Sequence, residues 1–170
     1  MPHTSALRVN AVELLRSPGA TRPVVVSVPG PALGVDDPRV TGDIDVDLVA
    51  TSSVDGITVH GTASTPWHDE CRRCLRPVDG VAVAAVDEVF QHEPRIDDAV
   101  EIVGDQIDLA PIVREYVLLE LPEAPLCRDD CAGICPECGA DRNEAPCGCD
   151  TSVRDLRWSA LEGLRLDDPE

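Results

Sequence analysis

The chain has 170 residues and a formal charge of −18, and its 14 basic residues are all arginine. That surplus of acid repels a phosphate backbone. The four aromatic residues, Trp67, Phe90, Tyr116 and Trp158, offer little for stacking on single strands. Both features argue against broad nucleic-acid binding; the acid either confers solubility alone or suits a basic partner. No apolar run reaches the ~18–20 residues that cross a bilayer. Residues 1–16 lack the apolar stretch of a secretory signal, so a cytoplasmic protein is expected, with a core of Val, Leu, Ile and Ala.

Residues 11–16 read as a short helix ended by Ser17-Pro18-Gly19. A β-branched run over 23–28 predicts a strand, stopped by Pro29-Gly30-Pro31. Over 41–50 the pattern alternates, with Ile44, Val46 and Leu48 on one side and Asp43, Asp45 and Asp47 on the other. This is a half-buried antiparallel strand, its aspartates forming a wet face rather than a metal site. Residues 53–56 turn the chain and 57–65 return as the hairpin partner. His68 reads as a surface or supporting histidine. Cys71-Arg72-Arg73-Cys74 falls at a bend before a long strand over 78–90. Residues 91–99 form a polar loop, and 101–108 predict a tight hairpin turning at Gly104-Asp105.

Asp108 is an N-cap for a helix over 109–120, which tolerates Pro111 in its first turn and packs its apolar face on the sheet. Leu121-Pro122 ends it. A cysteine-rich stretch follows, and then a final helix over 151–166. The order of elements predicts an α+β fold: an antiparallel β-sheet or partial barrel with a packed helix and a cysteine-rich, zinc-binding tail. The expected organisation is a sheet domain over 1–126, the tail over 127–150 and the C-terminal helix over 151–166.

Six of the eight cysteines lie in C-R-D-D-C-A-G-I-C-P-E-C-G-A-D-R-N-E-A-P-C-G-C, residues 127–149; Cys71 and Cys74 make up the rest. Eight thiols suit two tetrahedral Cys₄ zinc sites. Cys135-Pro136-Glu137-Cys138-Gly139 has the form of a zinc knuckle, with glycine where a positive φ is needed. In extended chain Cys147 and Cys149 point to the same side. One predicted set is therefore Cys135, Cys138, Cys147 and Cys149. Cys71, Cys74, Cys127 and Cys131 follow by elimination and would staple the middle of the chain to its tail. Four disulfides and a redox-active C-R-R-C are the competing readings. The absence of a secretory signal and of a thioredoxin-like pattern argues against them.

The joint pattern is more specific than its parts. It runs from C-R-R-C-L-R-P through G-D-Q-I-D-L-A-P-I-V-R-E-Y-V-L-L-E-L-P and the six-cysteine tail to D-T-S-V-R-D-L-R-W-S-A-L. It resembles the YceD family, the large ribosomal RNA accumulation proteins, from about residue 7 to 164. The resemblance implies a role in accumulation or processing of large-subunit (23S) ribosomal RNA, without established enzymatic activity. The paired C-x-x-C is shared widely in that family, and the six-cysteine tail by a subset.

The expected function is a non-enzymatic assembly factor meeting a large-subunit precursor or a basic ribosomal protein, with no membrane and limited direct RNA contact. Arg72, Arg73 and Arg76 are the candidate contacts, with Arg128 and Arg142 near the other thiols; alternatively these arginines neutralise the thiolate sites. An enzyme is not expected: no phosphate-binding loop, nucleophile elbow or H-E-x-x-H is present. The runner-up is a thiol-based redox or zinc sensor.

Overall fold

The computed structural model describes residues 4–95, 98–151 and 157. The chain opens with a 3₁₀ turn, Thr4–Leu7, and strand β1, Arg8–Asn10. Asn10 then caps helix α1, Ala11–Leu15, its side-chain oxygen accepting from the Glu13 N–H at 3.0 Å. Strand β2, Thr21–Pro29, runs into a 3₁₀ turn, Gly30–Leu33. Strands β3, Asp43–Ser52, β4, Ile57–Glu70, and β5, Pro77–Gln91, form the central meander. Short strands β6, Val100–Glu101, and β7, Gln106–Asp108, precede helix α2, Ala110–Glu120.

Five strands make one sheet in the order β2-β3-β4-β5-β6, and β1 pairs with β7 in a separate two-stranded sheet. The alternation along β3 has the predicted outcome. Ile44, Val46, Leu48 and Ala50 are buried, while Asp43, Asp45 and Asp47 are exposed. Val24, Val28, Val59, Ala63, Val86 and Phe90 continue the buried layer on neighbouring strands. Helix α2 covers that layer, lying across β5 and reaching β4, with Ile112, Val113 and Val117 turned inward. The Tyr116 hydroxyl donates to Glu88 Oε1 at 3.0 Å, which pins the helix to β5.

Two expectations change and a third is not met in full. The sheet is mixed rather than antiparallel throughout, because β6 lies parallel to β5 through Phe90↔Val100 and Gln91↔Glu101. It is not closed among the described residues, with β2 and β6 at its edges, which leaves the partial barrel unconfirmed. The hairpin over 101–108 does not form. The turn is present, with Gly104 at φ 69, but β6 joins β5 while β7 joins β1. Ile102 and Ile107 are both buried, so each arm is anchored in the core beside a different neighbour.

Helix α2 begins one residue later than expected. Leu109 occupies the cap position with no side-chain cap bond, although Asp108 Oδ1 still accepts from the Ala110 N–H at 3.0 Å. Apart from residues 151 and 157, the expected helix over 151–166 lies outside the described residues. Among the described residues, no helix is long and apolar enough to cross a membrane.

For the site, the decisive feature is a ribbon. Strands β4 and β5 stay paired from Ile57↔Phe90 to Glu70↔Pro77. The β3–β4 ladder stops at Asp45↔Ser64. The β4–β5 ribbon therefore runs on past the sheet, and Cys71 to Cys74 form its tip.

Candidate metal centres

The tip of the ribbon is a tight turn. The Cys71 N–H donates to the Arg76 carbonyl at 2.7 Å, and the Leu75 N–H donates to the Cys71 carbonyl at 2.8 Å. The tail repeats the same turn at Cys135: its N–H donates to the Ala140 carbonyl at 2.8 Å, and the Gly139 N–H donates to the Cys135 carbonyl at 2.9 Å. Both turns need a left-handed residue after the second cysteine. Gly139 meets this at φ 73 and Leu75 at φ 59; no other non-glycine described residue has positive φ. C-x-x-C-L and C-x-x-C-G are thus two copies of one knuckle.

The tail then lies against the ribbon tip. The Arg72 N–H donates to the Pro125 carbonyl at 2.9 Å and the Ile134 N–H to the Arg73 carbonyl at 2.9 Å. Gly133, at φ 73, passes so close that a Cβ there would sit 2.9 Å from the Arg73 carbonyl oxygen. These joints bring Cys127 and Cys131 to Cys71 and Cys74.

The result is two groups of four sulfurs, Cys71, Cys74, Cys127, Cys131 and Cys135, Cys138, Cys147, Cys149, each with all its sulfurs within 4.8 Å of one another. These are the two expected sets, the second read from its spacing and the first by elimination. In the first, Cys71 Sγ lies 3.8 Å from Cys131 Sγ, and Cys74 Sγ 3.5 Å from Cys127 Sγ. A tetrahedral zinc with Zn–S bonds of ~2.3 Å requires sulfur–sulfur edges of about 3.8 Å. All eight cysteines are unbridged. Donor type, number and spacing therefore fit a soft tetrahedral divalent ion, and each group could hold one.

The thiols are electrostatically unequal in a way that suits a cation. Burial raises the Cys71 thiol, but backbone N–H groups around the knuckle overcome this and bring it down to about 6. In the second group, N–H groups at Cys138 and Glu137 bring Cys135 down to about 6. Cys127 is pushed up to about 12, chiefly by its hydrogen bond with Cys74 and by burial. Cys149 rises to about 12 through its hydrogen bonds with Cys138 and Cys135. Each knuckle stabilises one thiolate, and neighbouring sulfurs oppose ionisation of Cys127 and Cys149. A divalent ion at the centre would remove that opposition.

The arginines beside the thiols act within the protein. Arg72 donates to the Glu123 carbonyl at 2.8 Å and Arg73 to the Cys131 carbonyl at 2.9 Å. Arg76 pairs with Asp141 at 2.6 Å and Glu144 at 2.7 Å. Arg128 donates to Asn143 Oδ1 at 2.8 Å and pairs with Asp130 at 3.2 Å. Arg142 is exposed. Arg72, Arg73, Arg76 and Arg128 therefore bond to carbonyl, carboxylate and amide oxygens of residues 123–144.

The sequence reading did not single out Asn143, which organises the space between the groups. Its Oδ1 accepts from the Ala132 N–H at 2.8 Å, and its amide nitrogen donates to Cys131 Sγ at 3.5 Å and Asp141 Oδ1 at 2.7 Å. The available signal was Asp141-Arg142-Asn143 directly after a knuckle, an Asx turn in which Asp141 Oδ1 also accepts from the Asn143 N–H at 2.8 Å. His68 pairs with Asp79 at 2.7 Å on the exposed side of the ribbon, outside both sulfur groups.

A family model described as "Large ribosomal RNA subunit accumulation protein YceD" matches residues 59–165, a span that contains all eight cysteines. Uncharacterised proteins of Mycobacterium bovis and Mycobacterium tuberculosis are each 34% identical over 170 residues, covering 92% of this chain and 80% of their own. An Arabidopsis thaliana protein named "Large ribosomal RNA subunit accumulation protein YCED homolog 1, chloroplastic" is 33% identical over 60 residues, covering 35% of this chain and 19% of its own. No solved structure matches. The family model spans the ribbon, the helix and both sulfur groups, and the chain belongs to the YceD family.

Proposed function

We propose that the chain is a non-enzymatic zinc protein that supports accumulation of large-subunit ribosomal RNA by serving as a rigid platform during assembly of that subunit. Membership of a family described by large ribosomal RNA subunit accumulation gives the process. The observation that carries the mechanism is the pair of complete four-sulfur groups. A catalytic zinc keeps one position open for water, whereas four thiolates close the coordination shell and leave the ion a structural task.

The partner is a large-subunit precursor particle or a basic ribosomal protein, in keeping with the charge of −18. Direct RNA contact is confined to a small patch at the metal end. There the N–H donors of Arg72, Arg73 and Arg76 left over from the internal bonds, together with Arg142, meet phosphate. Sedimentation at low salt tests this reading: the protein is expected to travel with precursor large subunits, and its depletion to lower 23S relative to 16S ribosomal RNA. Absence from every ribosomal fraction would contradict it.

A thiol-based sensor is the second reading, favoured by the exposure of Cys127 and Cys138. Zinc content measured before and after mild peroxide separates the two. Stoichiometric loss that also abolishes particle binding favours the sensor, and retention favours the platform.

A further inference from the structure

The two sulfur groups differ in how they are built. In the first, Cys71, Cys74 and Cys131 are 0%, 7% and 2% exposed, with Val78 and Leu126 packed against them. Two ligands sit on the ribbon tip and two on the tail. The Arg72–Pro125 and Ile134–Arg73 backbone bonds and the Arg73 guanidinium also join those pieces. The group's one exposed ligand is Cys127.

In the second group only Cys135 is buried; Cys138 is exposed, and Cys147 and Cys149 are half-buried. The Ala145 N–H donates to the Asp141 carbonyl at 3.3 Å. Among the described residues none holds the backbone of 146–149. Gly148, between the two ligands, faces open space, since a Cβ there would meet nothing within 4 Å. Three of the four ligands of this group are thus exposed or half-buried, against one of four in the first.

We propose that the two ions have different jobs. The ion at Cys71, Cys74, Cys127 and Cys131 is a fixed structural zinc. The ion at Cys135, Cys138, Cys147 and Cys149 is an exchangeable zinc, available to competing thiolate or chelating ligands. This rests on reading both groups as zinc sites. Exchange is a ligand substitution without oxidation. An incoming donor would bond to zinc as the Cys147 or Cys149 thiolate leaves and takes up a proton from water. Occupancy of the second site then follows available zinc, while the ribbon–tail joint stays closed.

Release of zinc from the purified full-length protein to excess 4-(2-pyridylazo)resorcinol tests the assignment. The expected course is biphasic, with one equivalent leaving at least tenfold faster than the other. Cys149→Ser is expected to remove the fast phase and keep the slow equivalent. Hydrogen exchange after removal of one equivalent gives a readout free of variants. Amides over 139–145 are expected to lose protection while those over 71–76 and 127–134 keep it. Release of both equivalents at one rate, loss of both in Cys149→Ser, or equal loss of protection at both groups would overturn the inequality and leave the platform reading intact. Protein that neither carries zinc nor takes it up would overturn the metal reading itself.

Discussion

Leu75 and Gly139 occupy the same place in two copies of one turn, and only one of them suits it. A side chain at φ 59 costs roughly 1–2 kcal/mol, because Cβ crowds the following carbonyl. Leu75 recovers little by packing, being 55% exposed. Leu75→Gly is therefore expected to stabilise the metal-loaded protein by up to about 1 kcal/mol in denaturant unfolding, after allowance for the extra freedom glycine gives the unfolded chain. Gly139→Leu is expected to cost a similar amount, about 1 kcal/mol, at the second knuckle. If Leu75→Gly destabilises instead, Leu75 has a packing or partner role beyond the turn. Spacing alone made the cysteines legible, because C-x-x-C followed by a turn residue encodes the geometry locally. Asn143 escaped notice because it acts by reaching several groups at once, which no local pattern records.

At the scale of the element, each knuckle prepares a thiolate before any ion arrives. A thiol lowered to about 6 in the folded state and near 9 in the unfolded chain stabilises the metal-free fold. That contribution is fully present above about pH 9 and is lost as pH falls through about 6. Binding at pH 7.5 then need not expel a proton from Cys71 or Cys135, whereas Cys127 and Cys149, raised to about 12, must each give one up. Zinc titrated into weakly buffered apoprotein is thus expected to release fewer than four protons per site; a full four would show that the knuckles leave their thiols unperturbed. The strands were similarly readable where their chemistry is local. β3 announces itself by alternation, and β5 by its length of small apolar residues. The stretch 101–108 misled because a Gly-Asp turn predicts a reversal but not which neighbour each arm joins. β1 is three residues long, too short to carry a period, and exists because β7 lies beside it.

Across the whole molecule, the first sulfur group joins segments more than fifty residues apart in the chain, and the β4–β5 ribbon holds one half of it clear of the sheet. Closing so long a loop removes much of the entropy of the unfolded chain. Cys74→Ser is accordingly expected to loosen both the ribbon tip and the tail from Leu126 onward, seen as new proteolytic cuts in both regions, while the core around Leu48 and Val113 stays protected. Cuts confined to residues near 71–76 would mean the tail is held by other means. The acidic face on β3 was legible as solvated surface. The parallel β6 strand and the open sheet were not, because they follow from how distant segments share one core. The most direct test of the central claim is the zinc-to-protein ratio of the purified full-length protein, measured with its native free-thiol count. The account predicts two zinc ions per chain, one for each four-sulfur group, with the thiols fully reactive only after unfolding in chelator. Protein without zinc, or with its cysteines paired as disulfides, would contradict it.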